Sequence, residues 1–123
     1  MTIIDAINEI DALKPNTIPQ PDKIRWLSQL DGRIKTEIID THEDGDKVEF
    51  KGYDDKTSED TVLLVPAPYD VIYIHFLDAQ IDYTNGETKR YNNSSALYNN
   101  AYRDYDRHYN RTHLPKSSRR KYF

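Results

Sequence analysis

The chain reads as a mainly α-helical protein: a small bundle of about four helices with a short inserted β-hairpin or extended element and a flexible C-terminal tail. Two observations predict this. Four stretches carry apolar residues at helical spacing, while a single acidic stretch near the middle switches to period-two alternation. A third, the absence of any internal repeat, leaves one domain over 1–113 followed by a basic tail over 114–123, with the β-containing acidic insertion at about 41–65.

Thr2 caps the first helix, with Asp5 in the capping-box position. Ile3, Ile4, Ile7, Ile10 and then Leu13 or Lys14 supply its apolar stripe, and Pro15-Asn16 stops it. Pro19-Gln20-Pro21-Asp22 starts a second helix, which carries Ile24, Leu27, Leu30, Ile34 and Ile38 on one face with Trp26 beside it. Gly32 is a mild weakness inside that pattern.

From Thr41 the character changes. Glu43-Asp44-Gly45-Asp46 is a turn signal, Lys47 to Tyr53 alternates polar with apolar as a half-buried strand does, and Thr61 to Val65 reads as a second strand or an extended run into the core. The chain then turns almost wholly apolar. Val71, Ile72, Tyr73, Ile74, Phe76, Leu77 and Ala79 leave little polar face, so this third helix is the core helix. The Pro66-Ala67-Pro68-Tyr69-Asp70 run starts it and Asn85-Gly86 ends it.

A fourth helix is expected to begin at Asn93 or Ser94 and to run to about Thr112. Tyr91, Tyr98, Tyr102, Tyr105 and Tyr109 follow one another at steps of seven, four, three and four, which places them on one stripe. Such a stripe, apolar in body and hydroxylated at its edge, suits a subunit or domain contact; it equally suits a cover for the core helix. Both readings stand, and different tyrosines can serve each. Pro115 bars continuation beyond the helix, so Leu114 to Phe123 reads as a tail.

Composition bounds the function classes. The net charge is −4, with 37% hydrophobic and 31% charged residues among 123, which describes a polar chain of modest core. There is no Cys, so disulfides, thiolate metal sites and a cysteine nucleophile drop out together. No apolar run reaches the roughly 18 residues of a membrane span, and Met1 to Ala6 lacks the basic region of a signal peptide, so the expectation is a protein that acts inside the cell where it is made, with no membrane partner.

Asp40, His42, Asp44 and Gly45 superficially imitate a calcium loop, but the twelfth position, which needs a bidentate Glu, is Lys51. No metal is expected. His42, His75, His108 and His113 lack ligand spacing, and Asp78 with Asp82 is an ordinary helical pair of like charges. Four glycines cannot build a phosphate-cradling loop. The reading is therefore no enzyme, no catalytic residues and no cofactor.

Charge is distributed unevenly. Asp40 to Asp60 holds nine acidic residues against Lys47, Lys51 and Lys56, whereas Arg111 to Phe123 holds Arg111, Lys116, Arg119, Arg120 and Lys121 and no acid. Acidic middle and basic tail can complement each other between copies, or the tail can meet nucleic acid.

The order of parts carries a resemblance. A short helix, then I-R-W-L-S-Q-L-D-G-R-I, an acidic insertion, L-L-V-P-A-P-Y-D-V-I-Y-I-H-F-L-D-A-Q-I-D-Y-T-N-G-E, R-Y-N-N-S-S-A-L-Y-N-N-A-Y and a closing Y-N-R-T-H-L-P-K resemble the head-tail connector (adaptor) proteins of tailed phages and prophages of Gram-positive bacteria. The resemblance spans almost the whole chain. It implies a helical protomer, a homo-oligomeric ring on the portal protein, contact with a neighbouring tail or connector protein, and passage of packaged DNA. It places the chain in the host cytoplasm during assembly and then in the virion. Tyr98, Tyr102, Tyr105 and Tyr109 are the expected interface residues, with Arg119, Arg120 and Lys121 of a tail that orders on docking. The competing expectation is a DNA-packaging or regulatory factor that contacts DNA through the basic tail.

Overall fold

A computed structural model describes residues 1–116. Four helices run in the order α1 (Ile3–Leu13), α2 (Gln20–Glu37), α3 (Val71–Thr84) and α4 (Thr88–Thr112), and two short 3-10 turns, Ile39–Thr41 and Gly45–Lys47, follow α2. The bundle is organised around α3, which touches the other three helices and keeps Ile72, Tyr73, Leu77 and Ile81 out of water altogether. Its near-continuous apolar sequence is the consequence of being covered from several sides.

α1 begins with the expected capping box. Thr2 Oγ1 accepts the Asp5 N–H at 3.2 Å, and Asp5 Oδ2 accepts the Thr2 N–H at 3.0 Å. Two orphan donors are satisfied reciprocally, a cap worth about 1 kcal/mol. Ile3, Ala6, Ile7 and Ile10 then face the core. Of the two alternatives for the end of that stripe, Leu13 points into water and Lys14 turns inward.

The inserted β-hairpin is not formed. Among the described residues, strand pairing is limited to two isolated antiparallel bridges, Thr2 with Val62 and His42 with Pro115. The reason is competition for backbone groups. The Thr61 carbonyl accepts from Ile3 and the Leu63 N–H donates to Met1, each at 3.0 Å, so α1's entry claims one of the two segments. The Leu64 N–H goes to Asp31 and the Val65 N–H to Tyr73. The other segment lies against α2 through Tyr53 N–H to Ser28 Oγ at 2.9 Å. Val48, Phe50 and Tyr53 are half-buried while Lys47, Glu49 and Lys51 are exposed, so the alternation reported which side faces the bundle, without a partner strand.

α4 starts earlier than the sequence predicts. Gly86 takes φ +71, a left-handed turn, and Thr88 already opens the helix, six residues before Ser94. Ser94 is not its cap: the hydroxyl donates to the Asp82 carboxylate at 2.9 Å and lies 2.9 Å from the Arg90 carbonyl. α3 and α4 thus form a tight antiparallel hairpin, and α4, at 25 residues, extends for about 38 Å.

Leu114 to Lys116 lie beside the insertion. The Leu114 carbonyl accepts the Glu43 N–H at 2.9 Å, and the Lys116 N–H donates to Thr41 at 3.0 Å.

Candidate interaction surface

The polar chemistry of the interior is taken up in fastening helices to one another. Asp31, wholly buried on α2, accepts hydrogen bonds from Tyr53 and Tyr73 hydroxyls, each at 2.6 Å, and from the Leu64 N–H at 3.1 Å. Burial pushes its carboxyl above the usual range, and the three donors only partly offset this. Tyr73 is driven well above an ordinary phenol by burial first and the Asp31 charge second. A carboxylate surrounded by donors with no cation is an anchoring group for α2, the insertion and α3.

Lys14, from the end of α1, pairs with both Asp78 and Asp82 of α3, and Ser94 of α4 completes the cluster on Asp82. Burial lowers the Lys14 ammonium, but the two carboxylates outweigh it and hold its affinity for the proton above the usual value. His75, the third residue of the only catalytic grouping the sequence offers, instead lines a cleft between α3 and α4 beside Tyr69, Leu97 and Asp104.

His42 is buried at the exit of the 3-10 turns. Its Nδ1 lies 2.6 Å from the Ile38 carbonyl oxygen and its Nε2 2.8 Å from Asn110 Oδ1, tying the insertion to α4. Tyr109 meets its edge at 4.8 Å and stacks on His113 at 3.7 Å. Asp40 pairs with Lys35 and Asp44 with Lys47, and among the described residues no group of three acids or histidines is placed to hold a metal ion.

The four tyrosines expected at an interface occupy two environments. Tyr98, Tyr105 and Tyr109 are 7%, 3% and 7% exposed and cover the chain's own core. Tyr102 is half-buried, donates to Glu37 at 3.0 Å and lies under the Arg33 guanidinium, 4.3 Å from its ring centre. Arg33 in turn donates to the Tyr98 hydroxyl at 2.9 Å and grips Glu37. Arg119, Arg120 and Lys121 lie outside the described residues.

The opposite side of α4 is a different surface. At 3.6 residues per turn, Lys89, Asn92, Ala96, Asn99, Asn100, Arg103, Arg107, Asn110 and Arg111 fall within an arc of about 120°, and every one of them is exposed. The arc contains four cations and no acid. Asparagine is a poor helix former, so a face built from four of them is not explained by helix stability. Along its edge runs the α3–α4 cleft, of about 350 Å³, lined by Val71, Leu97 and Ala101 together with Tyr69, His75 and Asp104. Val71 and Leu97 are each 49% exposed, an apolar pair left half in water. Sequence reading missed the cleft because its walls come from two helices; the exposed register of Leu97, beside rather than within the tyrosine stripe, was the one available signal.

The chain matches no protein-family model, no curated protein and no solved structure. No described helix is long and apolar enough to cross a membrane.

Proposed function

We propose that this chain is a structural subunit of a tailed-phage particle, a head-tail connector that assembles with its own copies into a ring on the portal and joins the DNA-filled head to the tail. One observation carries the reading. Inside the bundle, Asp31, Lys14, Asp82 and His42 are all engaged between helices, while charge left in water is sorted by sign into a basic α4 face and an acidic loop at 54–60. A rigid protomer with a surface divided in this way is suited to assembly, where electrostatic complementarity sets partner and register. The resemblance of the order of parts to connector proteins supports the same conclusion, and no catalytic role is proposed for any residue.

The tail is proposed to dock on the portal through Arg119, Arg120 and Lys121. Removing 117–123 while keeping Lys116, whose backbone is bonded to Thr41, tests this without disturbing the bundle. Loss of binding to purified portal protein with unchanged thermal unfolding is the expected result. Undiminished binding contradicts the tail assignment.

A second reading, a DNA-packaging or regulatory factor, is favoured by the four cations of the α4 face. It requires the isolated protein to bind duplex DNA with an affinity that falls steeply with salt.

A further inference from the structure

The cleft between α3 and α4 exposes Val71 and Leu97, and the arginines of the α4 face border it. Elsewhere on the molecule one other aliphatic side chain stands out in a charged setting: Val62 is 68% exposed and follows Glu59, Asp60 and Thr61. With Asp54 and Asp55, that loop carries four acids against Lys56. Apolar hollow with a basic border and apolar knob with an acidic border are complementary in both shape and sign, and they share no residue.

We propose that the cleft receives the 57–62 loop of a second copy of this chain, Val62 seating against Val71 and Leu97 while Glu59 and Asp60 face Arg103 and Arg107. Asp104, the one acid on the cleft's edge, is flanked by those two arginines in sequence and does not reverse the local sign. The apolar lining favours a protein loop over a phosphate backbone, which has nothing to place against Val71 and Leu97. Because the two patches differ, the contact is head-to-tail and propagates from copy to copy, closing into a ring when the rotation per copy divides a full turn. The inference rests on the assembly reading above and names the surfaces that would make it.

The test uses the full-length chain in sedimentation velocity at low salt, where charge pairing is least screened. Wild type is expected to form species larger than a dimer that dissociate as salt rises. A cleft variant, Arg103→Glu with Arg107→Glu, and a loop variant, Glu59→Lys with Asp60→Lys, are each expected to be monomeric with unchanged thermal unfolding, since all four positions are exposed. Mixed in equal amounts they are expected to form dimers and nothing larger, because one copy retains a working cleft and the other a working loop. A monomeric wild type, a cleft variant that assembles like wild type, or a mixture without dimers overturns the proposal. So does a cleft variant that loses duplex DNA binding but keeps wild-type assembly. Dimers in the mixture from a chain missing from phage particles would leave the contact standing and remove the connector reading; particles that contain the chain, with no dimer in the mixture, would do the reverse.

Discussion

Tyr73 and Asp31 lie 42 positions apart and meet inside the bundle through a 2.6 Å hydrogen bond from the phenol to the carboxylate. The same phenol oxygen accepts the Val65 N–H at 2.7 Å, so one side chain on the core helix fastens both α2 and the segment that leads into α3. Tyr73→Phe removes the donor and the acceptor together and leaves both partners buried. The expected loss is about 2–4 kcal/mol of unfolding free energy, measured by urea denaturation. A change below about 0.5 kcal/mol would show that water or a rearranged loop replaces the phenol.

Asp31 also sets a pH dependence. Its folded-state carboxyl is raised by burial, so between the usual carboxylate value and that raised value the native state holds the proton that the unfolded chain has released. Stability from this group is therefore greatest at acid pH and declines as pH rises through that window. Asp11, in contrast, is held below the usual value: burial raises it, but hydrogen bonds from Lys23 and Asn16 outweigh burial. Carboxyl carbon NMR titration is expected to place Asp31 above and Asp11 below the ordinary value of 3.8. The reverse order would refute the assignment.

Lys14 is the only cation facing Asp82 among the described residues, and Asp82 is 2% exposed. Lys14→Met strands that carboxylate against Ser94 alone. A loss of about 3 kcal/mol is expected. In the double variant with Asp82→Asn most of it should return, and a purely additive double-mutant cycle would argue against the pairing.

Two glycines differ in what a methyl group would meet. At Gly32, within α2, an added Cβ comes no closer than 3.6 Å to Phe50, so Gly32→Ala should stabilise by about 1 kcal/mol through helix propensity. At Gly45 the same atom would sit 2.4 Å from the Ile39 carbonyl oxygen, so Gly45→Ala should destabilise and loosen the 3-10 turns around His42. Melting temperatures of the two variants are expected to move in opposite directions.

What was legible in the sequence follows the range over which each interaction acts. The Thr2–Asp5 box and the apolar stripe of α1 are local, and they fold as read. The enclosed α3 was legible because a helix covered on several sides has no polar face to interrupt its pattern. The hairpin was not, because period two reports burial on alternate sides and is silent about whether a strand or a helix supplies the cover. The start of α4 was placed late for a related reason: Ser94 has a capping side chain, yet here it bonds within the helix and across to Asp82. Asp31 showed no special sign among the acids of the chain, since its three donors arrive from distant segments. The tyrosine register was visible as a stripe, but the core it covers depends on α2 and α3 packing beside it, and the cleft by Leu97 depends on where Val71 falls on another helix.

The central claim, that this chain is a connector subunit, is tested most directly by inducing the prophage that encodes it, purifying intact particles and quantifying the chain against the portal protein by mass spectrometry. The account predicts its presence at a copy number close to that of the portal. Its absence from otherwise complete particles would contradict the account.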